Sequence, residues 1–297
     1  MQFKTYSKSR LDDHINLVQD VIKDWDWKLW YPEKEELAKT YSQEGFTPET
    51  RHYVYENELL VGFLSSAVEE KVDGIQYGSI HILFIRQGYE HIEEELMTKT
   101  IEVLKSKGVE VIRTASMPGW GNYSQTLEQW GFKKEALLAQ RTIFEPSDLL
   151  DPHYTVPDSI VEIALPQDKE KLVEAMQLYD KRSKEEINQL LDELVSSGEY
   201  FAGAIVMKDN KPLSAGLLTE GYSSTTAFLS RLPIPEESFE WVLQDLFLFL
   251  VHKAHKLGIT LLWHQMFDVS YAPYYAGLNL KFEPFHRYLL PLSREKE

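Results

Sequence analysis

Apolar residues recur at two periods along this chain, and the two periods alternate in a fixed order. In the first half, residues 3–7 are a short extended stretch, and residues 11–25 and 33–43 space their apolar positions as amphipathic helices do. Residues 51–70 and 75–85 are rich in β-branched and aromatic residues and break at Glu56-Asn57-Glu58, the mark of strands joined by a tight turn. A long helix is expected over about 89–107, stopped by Gly108 as C-cap. A strand (110–116), a short helix (122–130, before Gly131) and a final strand (132–145) complete the half.

The second half repeats this order. Residues 159–165 open it as a strand, followed by helices over 168–181 and 184–197 and a hairpin over 201–218 turning at Asp209-Asn210-Lys211. A strand (225–232), a long helix (238–257, before Gly258), a strand (259–267), a short helix (270–278) and a last strand (281–292) follow. Gly108 and Gly258 are 150 residues apart, as are Phe132 and Phe282, while Gly62 and Gly216 are 154 apart. A period of this length means two tandem domains, because solenoid repeats are much shorter. Residues 145–158, with three prolines and three aspartates, are expected to be the linker. The predicted domains are therefore 1–145 and 159–297, joined by 146–158.

Charge narrows the range of partners. The chain has 31 Lys and Arg against 47 Asp and Glu, a formal charge of −16, and each half carries −8. Neither half offers the basic face that nucleic acid or an anionic membrane requires. An acidic protein instead attracts cations, amines among them. The chain has no cysteine, which excludes disulfides, thiol nucleophiles and Cys-ligated metals. The N-terminus lacks a signal-peptide pattern, and the apolar run from Trp241 to Val251 is too short to span a bilayer, so the cytoplasm is the expected location.

The repeated order is similar to the GNAT-type N-acetyltransferase fold, an α/β (α+β) class with a mixed, mostly antiparallel sheet flanked by helices. YENELLVGF (55–63) and MKDNKPLSAGLL (207–218) resemble that family's second and third strands. SIVEIALPQDKEKLVEA (159–175) resembles its opening strand and helix, and GFKKEALL (131–138) the lead into its last strand. The resemblance implies an acyltransferase that moves an acetyl group from acetyl-CoA to a small amine, without a metal; a homodimer is left open. It also implies that the fourth and fifth strands part, that pantetheine pairs with the exposed fourth strand, and that the long helix's N-terminus holds the pyrophosphate. Backbone amides at a helix start suit that task.

Both phosphate loops depart from the family pattern. The first reads LFIRQGYEHIEEELMTK (83–99): Arg86 and Gly88 remain, but Glu90, His91, Glu93, Glu94 and Glu95 fill the helix start. Glutamates there favour the helix dipole, and they oppose a bound phosphate. The first domain is expected not to bind acetyl-CoA. The second loop, SRLPIPEESFEWVLQDL (230–246), keeps only Ser238 as a small residue, which also suits an N-cap. The catalytic end is better preserved there. The family's spacing, counted from Asp268, reaches Tyr275 as the acid for the departing thiolate and Asn279 in place of a glycine, whereas the first domain presents Leu127. The expected catalytic set is Tyr275, Asp268 and Glu220, with His264 a further candidate base. Leu229, Arg231, Ser238 and Asn279 are expected at the cofactor. The alternative is an inactive GNAT-fold binding or regulatory protein that does not use acetyl-CoA. Trp25, Trp27, Trp30 and Tyr31 are expected to line a pocket or bury an inter-domain contact, and MPGWGNY (117–123) to be a turn.

Overall fold

The computed structural model describes residues 1–25, 34–42, 47–178, 182–221, 225–231, 239–266 and 275–292, without the side chains of Glu36, Arg231, Phe239, Glu240, Leu243 and Ala276. Its contacts divide into two compact units, Met1–Leu138 with Glu283–Glu297, and Ala139–Phe282. Among the described residues no helix is long and apolar enough to cross a membrane.

In the first unit β1 (Gln2–Lys4), β2 (Arg51–Glu56), β3 (Leu59–Val72) and β4 (Ile75–Ile80) are antiparallel neighbours, and β5 (Phe84–Ile85) returns to pair with β3. The β2–β3 turn uses Asn57 and Glu58 at positive φ (47° and 66°), the pair of left-handed residues that a two-residue hairpin loop needs. Helices α1 (Leu11–Ile22) and α2 (Lys34–Thr40) precede the hairpin, and α3 (Glu93–Ser106) follows it. Strand β6 (Val111–Ser116) runs parallel to β4, and α4 (Tyr123–Gln129) comes next.

The period of two along β3 decides which helix lies on which face. Phe63 packs with Leu17, Val18 and Tyr53 on the α1 side. Its neighbour Gly62 faces α3, where a Cβ would collide with Ile92. Strand β10 (Lys211–Glu220) of the second unit does the same: Ala215 packs with Leu172 and Leu191, while a Cβ on Gly216 would lie 2.6 Å from Leu250 Cδ1. The two glycines aligned in the sequence are thus the places where each long helix crosses its sheet.

The second unit orders its strands as β8 (Ile160–Ile163), β9 (Tyr200–Lys208), β10 (Lys211–Glu220), β11 (Thr226–Arg231) and β12 (Leu261–Met266). Helices α5 (Lys169–Gln177) and α6 (Lys184–Ser196) cover one face and α7 (Phe239–Lys256) the other. A capping box starts α6: Ser183 Oγ accepts from the Glu186 amide at 3.2 Å, and Glu186 accepts from the Ser183 amide at 2.6 Å. Both long helices end as expected, with Gly108 at φ 80° and Gly258 at φ 78°. The Val109 amide reaches back to Leu104 O at 3.1 Å, and the Ile259 amide to Ala254 O at 3.0 Å.

The unit boundaries differ from the expected ones. Strand β7 (Lys133–Phe144) leaves the first unit after Leu138 and pairs with β12, Phe144 opposite Leu262 and Gln140 opposite Met266. Strand β13 (Glu283–Pro291) closes the first unit's sheet against β6, His286 opposite Ser116 and Pro291 opposite Val111. Each sheet is completed by the strand that follows the other unit's short helix. Residues 146–158, the expected linker, pack against α7. Tyr154 stacks on His252 of α7 with centroids 4.1 Å apart, and the Asp151 amide donates to His252 Nε2 at 3.4 Å. Proline and aspartate signal irregular backbone there, which is compatible with packing against a helix.

Candidate functional site

In the second unit, β11 and β12 run parallel only from Thr226–Leu261 to Leu229–His264, although β11 continues to Arg231 and β12 to Met266. His264 sits at the last paired position. Its Nδ1 lies 2.9 Å from the Leu229 carbonyl oxygen, which can only accept, so Nδ1 carries the proton. In the neutral ring Nε2 is then the acceptor for the Tyr275 hydroxyl, 2.7 Å away. Three backbone segments are joined by this chain of two hydrogen bonds.

Tyr275 has 0% exposure and packs edge-on against Phe247 of α7 and at a tilt against Phe282. The sequence expectation left its hydroxyl facing a thioester; in this structure its proton is directed to His264. Asn279 stands at φ 53°, in the left-handed region that the aligned glycine would supply. Leu229 is buried, with its carbonyl engaged by His264. Glu220 is half-buried at the end of β10, opposite Ala227, and its amide donates to Glu199 O at 2.7 Å. The Arg231 backbone pairs with Gly216, and its side chain is outside the described set. Asp268 and Ser238 lie outside the described residues, as do Trp27, Trp30 and Tyr31. The structure thus brings Leu229, His264 and Tyr275 together and shows Glu220 only on a neighbouring strand.

The first unit has a counterpart that the sequence reading missed. Strands β4 and β6 are paired only over 77–79 and 111–113, and β6 runs on to Ser116. Tyr123, at the start of α4, donates to the His81 carbonyl at 2.9 Å and accepts from Thr114 Oγ1 at 3.1 Å. Thr114 precedes His264 by 150 residues, so each unit ties a tyrosine to the same position of its penultimate strand. Burial pushes the Tyr123 hydroxyl pKa up. Counting back from Gly131 reached Leu127, whereas counting seven residues from the strand end at Ser116 reaches Tyr123. The signal lay in MPGWGNY, the segment assigned to a turn.

Beside Tyr123 is a cavity of about 530 Å³. Leu83, Ile85 and Val21 give it an apolar wall, and Trp25, stacked on Phe84 at 6.1 Å, gives it an aromatic one. The α3 start that borders it is anionic, and the carboxylates there are already engaged. Glu90 accepts from the Gly88 amide at 2.9 Å, a bond that lowers its pKa. Glu93 accepts from Trp130 Nε1 at 3.1 Å, linking α3 to α4. Arg86, the remnant of the phosphate-loop pattern, is paired with Asp20, and so is Lys23 at 2.7 Å. These hydrogen bonds and charges hold the Asp20 carboxyl below its usual pKa. The one loop amide on a glycine is thus capped by the chain's own carboxylate. Among the described residues no three His, Asp or Glu side chains converge as metal ligands.

No family model matches the chain, and no curated protein does. Solved structures do. A tandem GNAT protein from the clavulanic acid biosynthesis pathway aligns over 99% of this chain and 99% of its own, with TM-score 0.71 and 13% identity. A GCN5-related N-acetyltransferase from Sphaerobacter thermophilus aligns over 100% and 97%, with TM-score 0.69 and 10% identity. An acetyltransferase of the GNAT family from Colwellia psychrerythraea aligns over 98% and 100%, with TM-score 0.58 and 16% identity. At these identities the likeness is one of fold: the chain has the GNAT fold over its whole length.

Proposed function

We propose that this chain is a tandem GNAT-fold acyltransferase whose second unit transfers an acetyl group from acetyl-CoA to a small amine. The observation that carries the proposal is the early end of the β11–β12 ladder at Leu229–His264, with Tyr275 tethered beside it. A strand edge that leaves its neighbour offers backbone groups to the amides of a pantetheine arm, and these orient the thioester. Arg231 of β11, beyond the last paired position, is assigned to that edge, and Leu229, Ser238 and Asn279 to the rest of the cofactor contact.

In the reaction, the neutral amine nitrogen attacks the thioester carbonyl carbon, and the C–S bond breaks as the amide forms. Tyr275 turns its hydroxyl from His264 to the sulfur and protonates the thiolate; Asp268 or Glu220 takes the proton that the amine nitrogen loses. Each transfer lies within ordinary general acid–base chemistry. The fold neighbours, one of them a tandem protein, support the class of reaction.

A second reading has an observation of its own. The complete burial of Tyr275 and the capping of Gly88 by Glu90 favour a GNAT-fold binding protein that makes no use of acetyl-CoA. Calorimetric titration of the whole chain with acetyl-CoA separates the two. One equivalent bound per chain supports the transferase; no heat at millimolar acetyl-CoA supports the binding protein.

A further inference from the structure

The cavity of the first unit stands where the resemblance would seat a cofactor, yet its walls have the wrong charge for one. Among the described residues, four carboxylates (Asp20, Asp24, Glu90 and Glu93) line it against two cations, Lys23 and Arg86. Both cations are bound to the same partner, Asp20, a cluster of net charge +1, and the other three carboxylates leave the described lining at a formal −2. The Gly88 amide that would meet a phosphate already donates to Glu90. An incoming pyrophosphate would have to displace that carboxylate and remain beside Glu93 and Asp24.

Among the described lining residues, Gln87, Asn122 and Thr126 add uncharged polar groups, and the others are apolar or aromatic. Tyr123 spends its hydroxyl on Thr114 and His81, so what it offers a ligand is its ring. Trp25 adds an indole, and Leu83, Ile85 and Val21 complete a hydrocarbon wall. At about 530 Å³ the cavity falls within the range of small-molecule sites, roughly 300–1,000 Å³. Aromatic faces beside carboxylates favour an ammonium group attached to a hydrocarbon body.

We infer that the first unit's cleft is a binding site for a small organic cation, a primary or quaternary ammonium, in place of the nucleotide end of a cofactor. Its described lining residues all belong to the first unit, and the site does not depend on any reaction in the second. Its anionic walls set the specificity, and Trp25 and Tyr123 hold the carbon chain.

Titration calorimetry on the full chain tests this with three probes: 1,4-diaminobutane, tetramethylammonium and inorganic pyrophosphate. At least one of the two cations should bind, more weakly as salt is raised, and pyrophosphate should give no heat. Asp24 is exposed, so Asp24→Asn should leave the melting temperature unchanged while weakening cation binding about fivefold, the scale of one partly screened charge pair. The double variant Asp24→Asn/Glu90→Gln should weaken it further. Silence from both cations would overturn the inference. So would pyrophosphate binding that Arg86→Ala abolishes, or cation binding insensitive to Asp24 and Glu90 but lost in Glu220→Gln, which would put the amine in the second unit. Acetyl-CoA titration of Asp24→Asn keeps the two proposals apart, because that variant should bind acetyl-CoA as the unaltered chain does.

Discussion

The Tyr275 hydroxyl and His264 Nε2 are 2.7 Å apart inside the second unit's core, and the other ring nitrogen of His264 holds the Leu229 carbonyl. This arrangement gives one substitution two separable effects. Tyr275→Phe leaves a buried imidazole nitrogen without its donor, at a cost of about 1–3 kcal/mol. If Tyr275 is also the acid, turnover should fall by roughly 10²–10⁴ with acetyl-CoA affinity nearly unchanged. Melting temperature and steady-state rate on the same variant give both numbers. A loss of stability with full activity would remove Tyr275 from the chemistry.

Acetyl-CoA should occupy no more than one site per chain. Arg86 is committed to Asp20, so Arg86→Ala should leave the acetyl-CoA dissociation constant within about twofold of the unaltered value, less than about 0.5 kcal/mol. Two equivalents in calorimetry, or a large loss on this substitution, would show that the first unit binds the cofactor after all.

The helix-crossing glycines should resist enlargement unequally. At Gly216 an added Cβ meets Leu250 Cδ1 at 2.6 Å, Leu246 Cγ at 3.3 Å and the Ser230 carbonyl at 3.3 Å. Gly216→Ala should therefore destabilise the second unit by about 1–3 kcal/mol. At Gly62 the nearest obstacle is the end of the Ile92 side chain, which can turn aside, so Gly62→Ala should cost less. Denaturant titration of the two variants compares them directly.

Acid should weaken the first unit well before it protonates ordinary carboxylates. Burial, with Arg51 adding a smaller effect, lowers the His14 pKa from 6.5 to about 3, and burial lowers His52 to about 4. Both histidines are neutral when folded and take up a proton near pH 6.5 when unfolded. Their contribution is therefore complete above pH 6.5 and is lost as pH falls from there towards 3 or 4. The expected loss by about pH 4 is several kcal/mol, because each tenfold difference in proton affinity between folded and unfolded chain is worth about 1.4 kcal/mol. His14→Gln should flatten the slope of stability against pH between 6.5 and 4; an unchanged slope would assign it to other groups.

Removing the last strand should damage the unit that lies earlier in the chain. Truncation after Phe282 takes away the partner of β6 and the buried side chains of Phe285 and Tyr288. Hydrogen exchange should accelerate at 111–116 and change little at 261–266, whose antiparallel neighbour is β7. The reverse result would contradict the strand exchange.

Local pattern was enough to reveal the duplicated order of elements. The positive-φ turns at Asn57-Glu58 and Asp209-Asn210, the caps at Gly108 and Gly258, and the crossings at Gly62 and Gly216 each depend on the residue's own backbone freedom or size. Such signals are carried by a few neighbouring residues, and the sequence displays them directly. It also displays the acidic start of α3, because charge is a property of composition. Two things required the tertiary structure. The first is which sheet each last strand joins, since a backbone ladder reads no side chain that would tell the β6 edge from the β12 edge. The second is the pairing of Tyr123 with Thr114 and of Tyr275 with His264, since a hydrogen bond across two elements depends on where a loop delivers its side chain. Spacing counted from the wrong end of that loop reached Leu127; the folded chain put Tyr123 in the place that matters, because the α4 start, and not its end, faces the parted strands.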